Sequence, residues 1–176
     1  LDGLCHAPSV RKAGSHLIRE GDRPEDVFLL LEGWACRYKH TASGDRQILA
    51  YMLPGDLCDP HVFVLSEMDH SIVALSDTRV VAIPKRDIIA LTEDYPAIAR
   101  AFWWSTLVDE AVLREWLINI GQRHAYERIA HLFCELWRRM RQVGLTEGGT
   151  FSLPITQEQL GDTVGLTAVH VNRVLQ

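Results

Sequence analysis

Between Pro54 and Ser71 the sequence LCDPHVFVLSEMDH gathers Cys58, Asp59, His61, Asp69 and His70. These side chains carry the imidazole, thiolate and carboxylate donors used in metal sites, and a thiol that redox chemistry could use. Their spacing matches no diagnostic ligand pattern. The alternative is that Cys58 is a small buried hydrophobe and the histidines are hydrogen-bonded or face solvent.

A second concentration closes the chain, in Ile155 to Gln176, ITQEQLGDTVGLTAVHVNRVLQ. Thr156 followed at three residues by Gln159 is a capping-box signature, in which hydroxyl and amide satisfy the N–H groups left open at a helix start. A helix is expected from about Gln157 to Thr163, ended by Gly165. Thr167 is placed to cap a second helix, with Val171, Val174 and Leu175 at helical spacing. Leu160, Val164 and Leu166 would fill the space between the helices, and Gly161 would let their backbones approach. A helix, a short turn with glycine and a second helix match the helix-turn-helix of DNA-binding proteins. A hairpin that only packs a core is the competing account.

The rest of the chain must position these groups. From Val10 to Pro84, strands are expected at Ser15 to Arg19, Val27 to Leu31, Ala35 to Tyr38, Gln47 to Met52, Ser71 to Leu75 and Arg79 to Ile83. They are broken by GDRPED, EG, SGD, PGD and SD turns. Many short strands at regular spacing indicate an antiparallel barrel or jelly roll. A connection on one face of a barrel, such as residues 57–70, is a plausible ligand site.

A long helix is expected from about Ala97 to Ile120, with Pro96, Glu93 and Asp94 at its start. It carries two apolar stripes. One holds Ile98, Ala101, Phe102, Ser105, Val108, Val112 and Trp116; the other holds Ala99, Trp103, Leu107, Leu113 and Leu117. A surface helix normally presents one stripe, so two imply burial against the barrel and against a partner subunit. A further helix, about His124 to Arg141, would turn Ile129, Leu132, Phe133, Leu136 and Met140 inward. GLTEGGTFSLP, residues 144 to 154, reads as a link or short hairpin before the terminal unit.

The 176 residues suit one domain or two small ones. An apolar fraction of 47% excludes wholesale disorder. The longest apolar runs fall far short of the roughly 20 residues a membrane span needs. Residues 1 to 20 show no secretory pattern, and Cys5, Cys36, Cys58 and Cys134 are too dispersed for a disulfide scaffold or a C-x-x-C pair. A cytoplasmic protein without membrane contact is the expectation. The net charge of −5 argues against non-specific nucleic-acid binding. Arginines 123, 128, 138, 139 and 141 nevertheless gather just before the terminal unit, as site-specific binding by a dimer would permit.

In this order the elements resemble the Crp/Fnr family of bacterial transcription regulators, most strongly in TQEQLGDTVGLTAVHVNRVLQ and in EGDRPEDVFLLLEGWACRY, Glu20 to Tyr38. The resemblance covers nearly the whole chain. It implies an α+β protein with a jelly-roll (beta-roll) sensor domain over 1–95, a long dimerisation helix over 96–121 and a winged helix-turn-helix over 122–176. The last is expected to be incomplete, because the chain stops at Gln176 inside the recognition helix. The family implies a homodimer on palindromic double-stranded DNA, with RNA polymerase as a further candidate partner. Phe102, Trp103, Val108, Val112 and Trp116 are the dimerisation candidates.

Alignment with the family turns Ala168, Val169, Asn172 and Arg173 toward the bases. Arg173 would make two bonds to guanine, Asn172 would pair with adenine, and Val169 would meet a thymine methyl. Thr167 and His170 are expected on phosphates, which fix register without reading sequence. Cyclic-nucleotide binders of this fold carry glycine-glutamate and arginine-serine pairs where this chain has Asp59-Pro60 and His70-Ser71. The effector pocket would then be lined by Cys58, Asp59, His61, His70 and Ser71. With arginine's fork of donors replaced by an imidazole and two aspartates added, it is not expected to take cyclic AMP in the usual way.

The expected function is therefore a dimeric, sequence-specific transcription regulator controlled by a small molecule or redox signal other than cyclic AMP. A haem, metal or thiol sensor using Cys58, His61 or His70 is one alternative; otherwise no cofactor is required and no catalytic set is recognised. The other alternative is a degenerate dimerisation or protein-binding module without DNA activity. An enzyme would need Asp59, His61 and His70 as metal ligands, a spacing that matches no strong motif, and would have no use for the terminal unit.

Overall fold

In the computed structural model, residues 7–23, 25–60 and 65–176 are described. Among the described residues eight strands precede five helices: β1 (Ser9–Arg11), β2 (His16–Ile18), β3 (Asp26–Glu32), β4 (Ala35–His40), β5 (Arg46–Met52), β6 (Leu57–Cys58), β7 (Ser71–Ala74) and β8 (Thr78–Pro84), then α1 (Lys85–Asp94), α2 (Pro96–Gln122), α3 (Ala125–Gln142), α4 (Gln157–Val164) and α5 (Ala168–Leu175). The strands form two four-stranded antiparallel sheets, β1-β8-β3-β6 and β2-β7-β4-β5. The fold is α+β, as expected.

The second sheet is apolar on both faces, and strand alternation divides its residues between two cores. Ala35, Met52 and Ile72 turn inward to a cluster with Val27, Leu30, Cys58, Val80 and Ile83. Their neighbours Cys36, Tyr51 and Val73 turn outward to a second cluster with Trp116, Leu132, Leu136, Leu160 and Val171. Strand β7 is buried at all four residues for this reason. The second cluster ties the barrel to α2, α3 and the terminal helix pair, so one apolar core crosses all three expected domains.

Two sequence expectations change in the helices. Glu93 and Asp94 do not open the long helix; they end α1, a separate helix that the sequence reading did not place. Pro96 is at the first turn of α2, where its missing N–H costs nothing, and Tyr95 separates the two helices. Gly121 does not stop α2, which continues to Gln122.

The two stripes of α2 meet different fates. Trp116 is buried, donates its indole N–H to Glu135 and meets Tyr51 edge to face, while Phe102 and Val112 pack on the two cores. Trp103, Trp104, Leu107, Leu113, Leu117 and Ile118 stay exposed. Trp116 is thus an intrachain anchor, a correction to its place among the dimerisation candidates. Among the described residues no helix is long and apolar enough to cross a membrane.

Candidate nucleic-acid interface and barrel charge cluster

The terminal helix pair is built by the caps the sequence announces. Thr156 Oγ1 accepts from Gln159 N–H at 3.1 Å, and Gln159 Oε1 accepts from Thr156 N–H at 2.8 Å. Gly165 takes the left-handed conformation, φ 68°, that ends α4 without a side-chain penalty. Thr167 Oγ1 accepts from His170 N–H at 3.2 Å and starts α5. A Cβ on Gly161 would lie 2.4 Å from Leu166 O, so glycine is what lets the turn close onto α4.

Val171 is fully buried and Val174 packs on the same core, fixing the rotation of α5. Leu175, expected on that face, is 45% exposed. The opposite face presents Ala168, Val169, His170 and Arg173 to solvent, with Asn172 half-buried at its edge. The residues aligned with base reading therefore share one accessible surface. Thr167 is itself exposed, its oxygen serving the cap.

The arginines before this unit divide in two. Arg139 donates to Asp56 Oδ2 at 2.7 Å and to Tyr51 O at 2.9 Å, binding α3 to the barrel. Arg128 donates to Arg123 O and Val164 O, and Arg123 meets Asn119 and Glu115. These three brace the helices. Arg138 and Arg141 remain exposed, the latter over the ring of Trp137.

In the barrel, Asp59 and His70 do converge. Both are buried, and His70 Nε2 meets Asp59 Oδ2 at 2.7 Å while its Nδ1 meets Asp69 Oδ1 at 2.7 Å. Asp59 also forms an ion pair with Arg37, which the sequence reading did not single out. Both ring nitrogens face carboxylates, so the cluster sets Arg37 and the imidazole against two acids. That hydrogen bond to His70 holds the Asp69 carboxyl below its ordinary range. Ser71 Oγ accepts from the Glu20 N–H at 2.9 Å. Asp59 adopts φ 53°, a left-handed conformation that aspartate tolerates better than most residues.

Cys58 does not join this cluster. Its side chain lies in the inner apolar core, with Sγ 3.6 Å from Met52 Sδ, and burial pushes the thiol above its ordinary range. A thiol held protonated and enclosed is a poor nucleophile and a poor ligand. His61 lies outside the described residues. Among those described, no three His, Cys, Asp or Glu side chains are grouped to hold a metal ion. Of the residues named for a haem, metal or thiol sensor, Cys58 faces the apolar core and His70 has both ring nitrogens against carboxylates.

Residues 10–95 match the family of the cyclic nucleotide-binding domain, and residues 127–176 match the Crp-like helix-turn-helix domain. The chain is 27% identical to the transcriptional activator protein FnrL of Cereibacter sphaeroides over 165 residues, 92% of this chain and 66% of that protein. It is 29% identical to the transcriptional activator protein anr of Pseudomonas aeruginosa over 179 residues, 99% of this chain and 71% of that protein. The chain thus spans about two thirds of the length of these relatives. The structure of FixK2 from Bradyrhizobium japonicum superimposes with a TM-score of 0.85 at 25% identity, covering 96% of this chain and 82% of that one. With a barrel and a helix-turn-helix that both match, in the order these regulators share, the chain belongs to the Crp/Fnr family of transcription regulators.

Proposed function

We propose that this chain forms the sensor barrel, dimerisation helix and DNA-reading helices of a regulator that binds a palindromic site as a homodimer. The observation that carries the reading is the α5 surface: Val169, His170 and Arg173 stand exposed on a helix whose other face is locked by Val171. The exposed row of Trp103, Leu107, Leu113 and Leu117 on α2 is the face offered to the second copy. Two-fold pairing would set two copies of α5 in successive major grooves, roughly 34 Å apart. RNA polymerase is the further partner of an activator, which is what the names of FnrL and anr call those proteins. The protein would work in the cytoplasm, beside the DNA it reads.

The barrel cluster supports control by something other than cyclic AMP. A phosphate would have to displace Asp59 from Arg37, in a site that also holds Asp69. A small molecule without negative charge suits these groups better. A regulator of this type needs its signal to bind two arrangements of the molecule unequally.

Selection of the intact protein against random duplex DNA tests the reading. A palindrome with a guanine in each half-site is expected, and Arg173→Ala should cost about 1–3 kcal/mol there and relax that one base. Equal loss on every sequence would remove Arg173 from base reading. Enrichment of no sequence, with or without small-molecule extracts, would overturn the DNA-binding function.

A further inference from the structure

Three carboxamides form a chain across the terminal helix pair. Gln176 Nε2 donates to Asn172 Oδ1 at 3.1 Å, and Asn172 Nδ2 donates to Gln157 Oε1 at 3.2 Å. Gln176 lies one turn beyond Asn172, on the same side of the helix. Gln157 is the first residue of α4, so the second bond joins the two helices. Gln157 and Gln176 are exposed, and Asn172 is half-buried between them.

We propose that Gln157 is a positioning residue for base reading, which sets the orientation of the Asn172 carboxamide and thereby the base accepted opposite it. The proposal rests on the DNA-reading function above. A carboxamide offers two N–H donors and an oxygen with two lone pairs. The two bonds use one donor and one lone pair of Asn172, leaving one of each. One donor and one acceptor side by side are what adenine requires at N7 and N6 in the major groove.

The bonds also couple the orientations of the three groups. Turning Asn172 over by itself would set oxygen against oxygen at Gln157 and N–H against N–H at Gln176. The orientation is therefore shared along the chain, whose end on α4 lies at Gln157, beside the Thr156 and Gln159 cap. Close contact at Gly161 keeps the turn, and with it α5, near α4.

The test is selection from random duplex DNA with the intact wild-type protein and with Gln157→Ala, Gln157→Glu, Asn172→Ala and the double variant Gln157→Ala, Asn172→Ala. Gln157→Ala should flatten the adenine preference by at least about fivefold and leave the guanine under Arg173 as sharp as before. Gln157→Glu keeps an acceptor facing Asn172, so it should retain the adenine preference, while its charge weakens binding to all sequences alike. In the Asn172→Ala background, Gln157→Ala should change no base preference further. A wild-type preference preserved in Gln157→Ala, or lost in Gln157→Glu, overturns the assignment, as does uniform weakening in Gln157→Ala without a change of preference. A wild-type protein that selects no site overturns the DNA-reading function and this assignment with it. A wild-type palindrome indifferent to residue 157 overturns this assignment alone.

Discussion

Tyr51 on β5 and Thr163 on α4 are joined hydroxyl to hydroxyl at 2.5 Å, both buried, where the barrel meets the terminal helix pair. Around this bond Arg46 reaches Asp162 at 2.7 Å and Gln47 donates to Thr163 O at 3.2 Å. The Tyr51 ring lies edge-on to Trp34 and to Trp116, each with a 6.1 Å centroid separation. Strand β5 therefore sets how the DNA-reading helices stand on the barrel.

The two hydroxyls at this seam are not equivalent. Thr163 Oγ1 also donates to Gln159 O at 2.8 Å, so Tyr51→Phe leaves it with a partner and should cost about 1 kcal/mol. Thr163→Val takes the Thr163 hydroxyl away from the buried Tyr51 hydroxyl and should cost about 1–3 kcal/mol. Urea unfolding of both variants measures the difference. Equal costs would mean that Tyr51 finds a substitute acceptor at once.

Asp59 is the buried counter-charge of Arg37 and also meets the His70 ring. Asp59→Asn keeps a residue that accepts the left-handed conformation but removes the charge, and should destabilise by about 3–5 kcal/mol, as breaking a buried pair does. Adding Arg37→Met should recover part of that loss, since the stranded guanidinium is then gone. Thermal or chemical unfolding that shows purely additive effects would count against coupling of Arg37 to Asp59.

Cys36 makes stability fall with alkaline pH. Burial pushes its thiol up to about 12, whereas in the unfolded chain it ionises near its ordinary value of about 8.5–9. The folded protein keeps this proton between those values and the unfolded chain loses it, so stability present below pH ~9 declines toward pH ~12. The slope from one such group approaches about 1.4 kcal/mol per pH unit. Cys36→Ala lowers stability at every pH but should flatten this decline; unfolding curves from pH 8 to 11 that keep the wild-type slope would refute it.

Trp103 and Trp116 share one helix and should fail differently. Trp103, 78% exposed, should abolish self-association when changed to Glu while leaving the fold intact. Trp116, 4% exposed, should cost about 3–5 kcal/mol of stability when changed to Ala. Sedimentation and melting together separate the two. A Trp103→Glu protein that remains a dimer would move the interface off this stripe.

By itself the sequence determined what depends on near neighbours. The caps at Thr156 and Thr167 and the turn at Gly165 rest on hydrogen bonds and backbone preferences within a few residues. Residue types therefore announced them. Strand alternation even places Arg37 on the face of Ala35, toward the barrel interior, a signal that lay in the sequence unread.

Tertiary structure alone decided which apolar and charged groups meet. The stripes of α2 look alike in sequence, and only the packing of Tyr51 and Glu135 around Trp116 makes one internal and leaves Trp103 outside. Likewise, Asp59 lies 22 residues from Arg37 and 11 from His70, and Tyr51 lies 112 from Thr163. Partners so far apart in the chain are chosen by how the sheets close and where the helices dock on them. No local preference encodes that choice, because the energy of each contact exists only once both ends have been buried together.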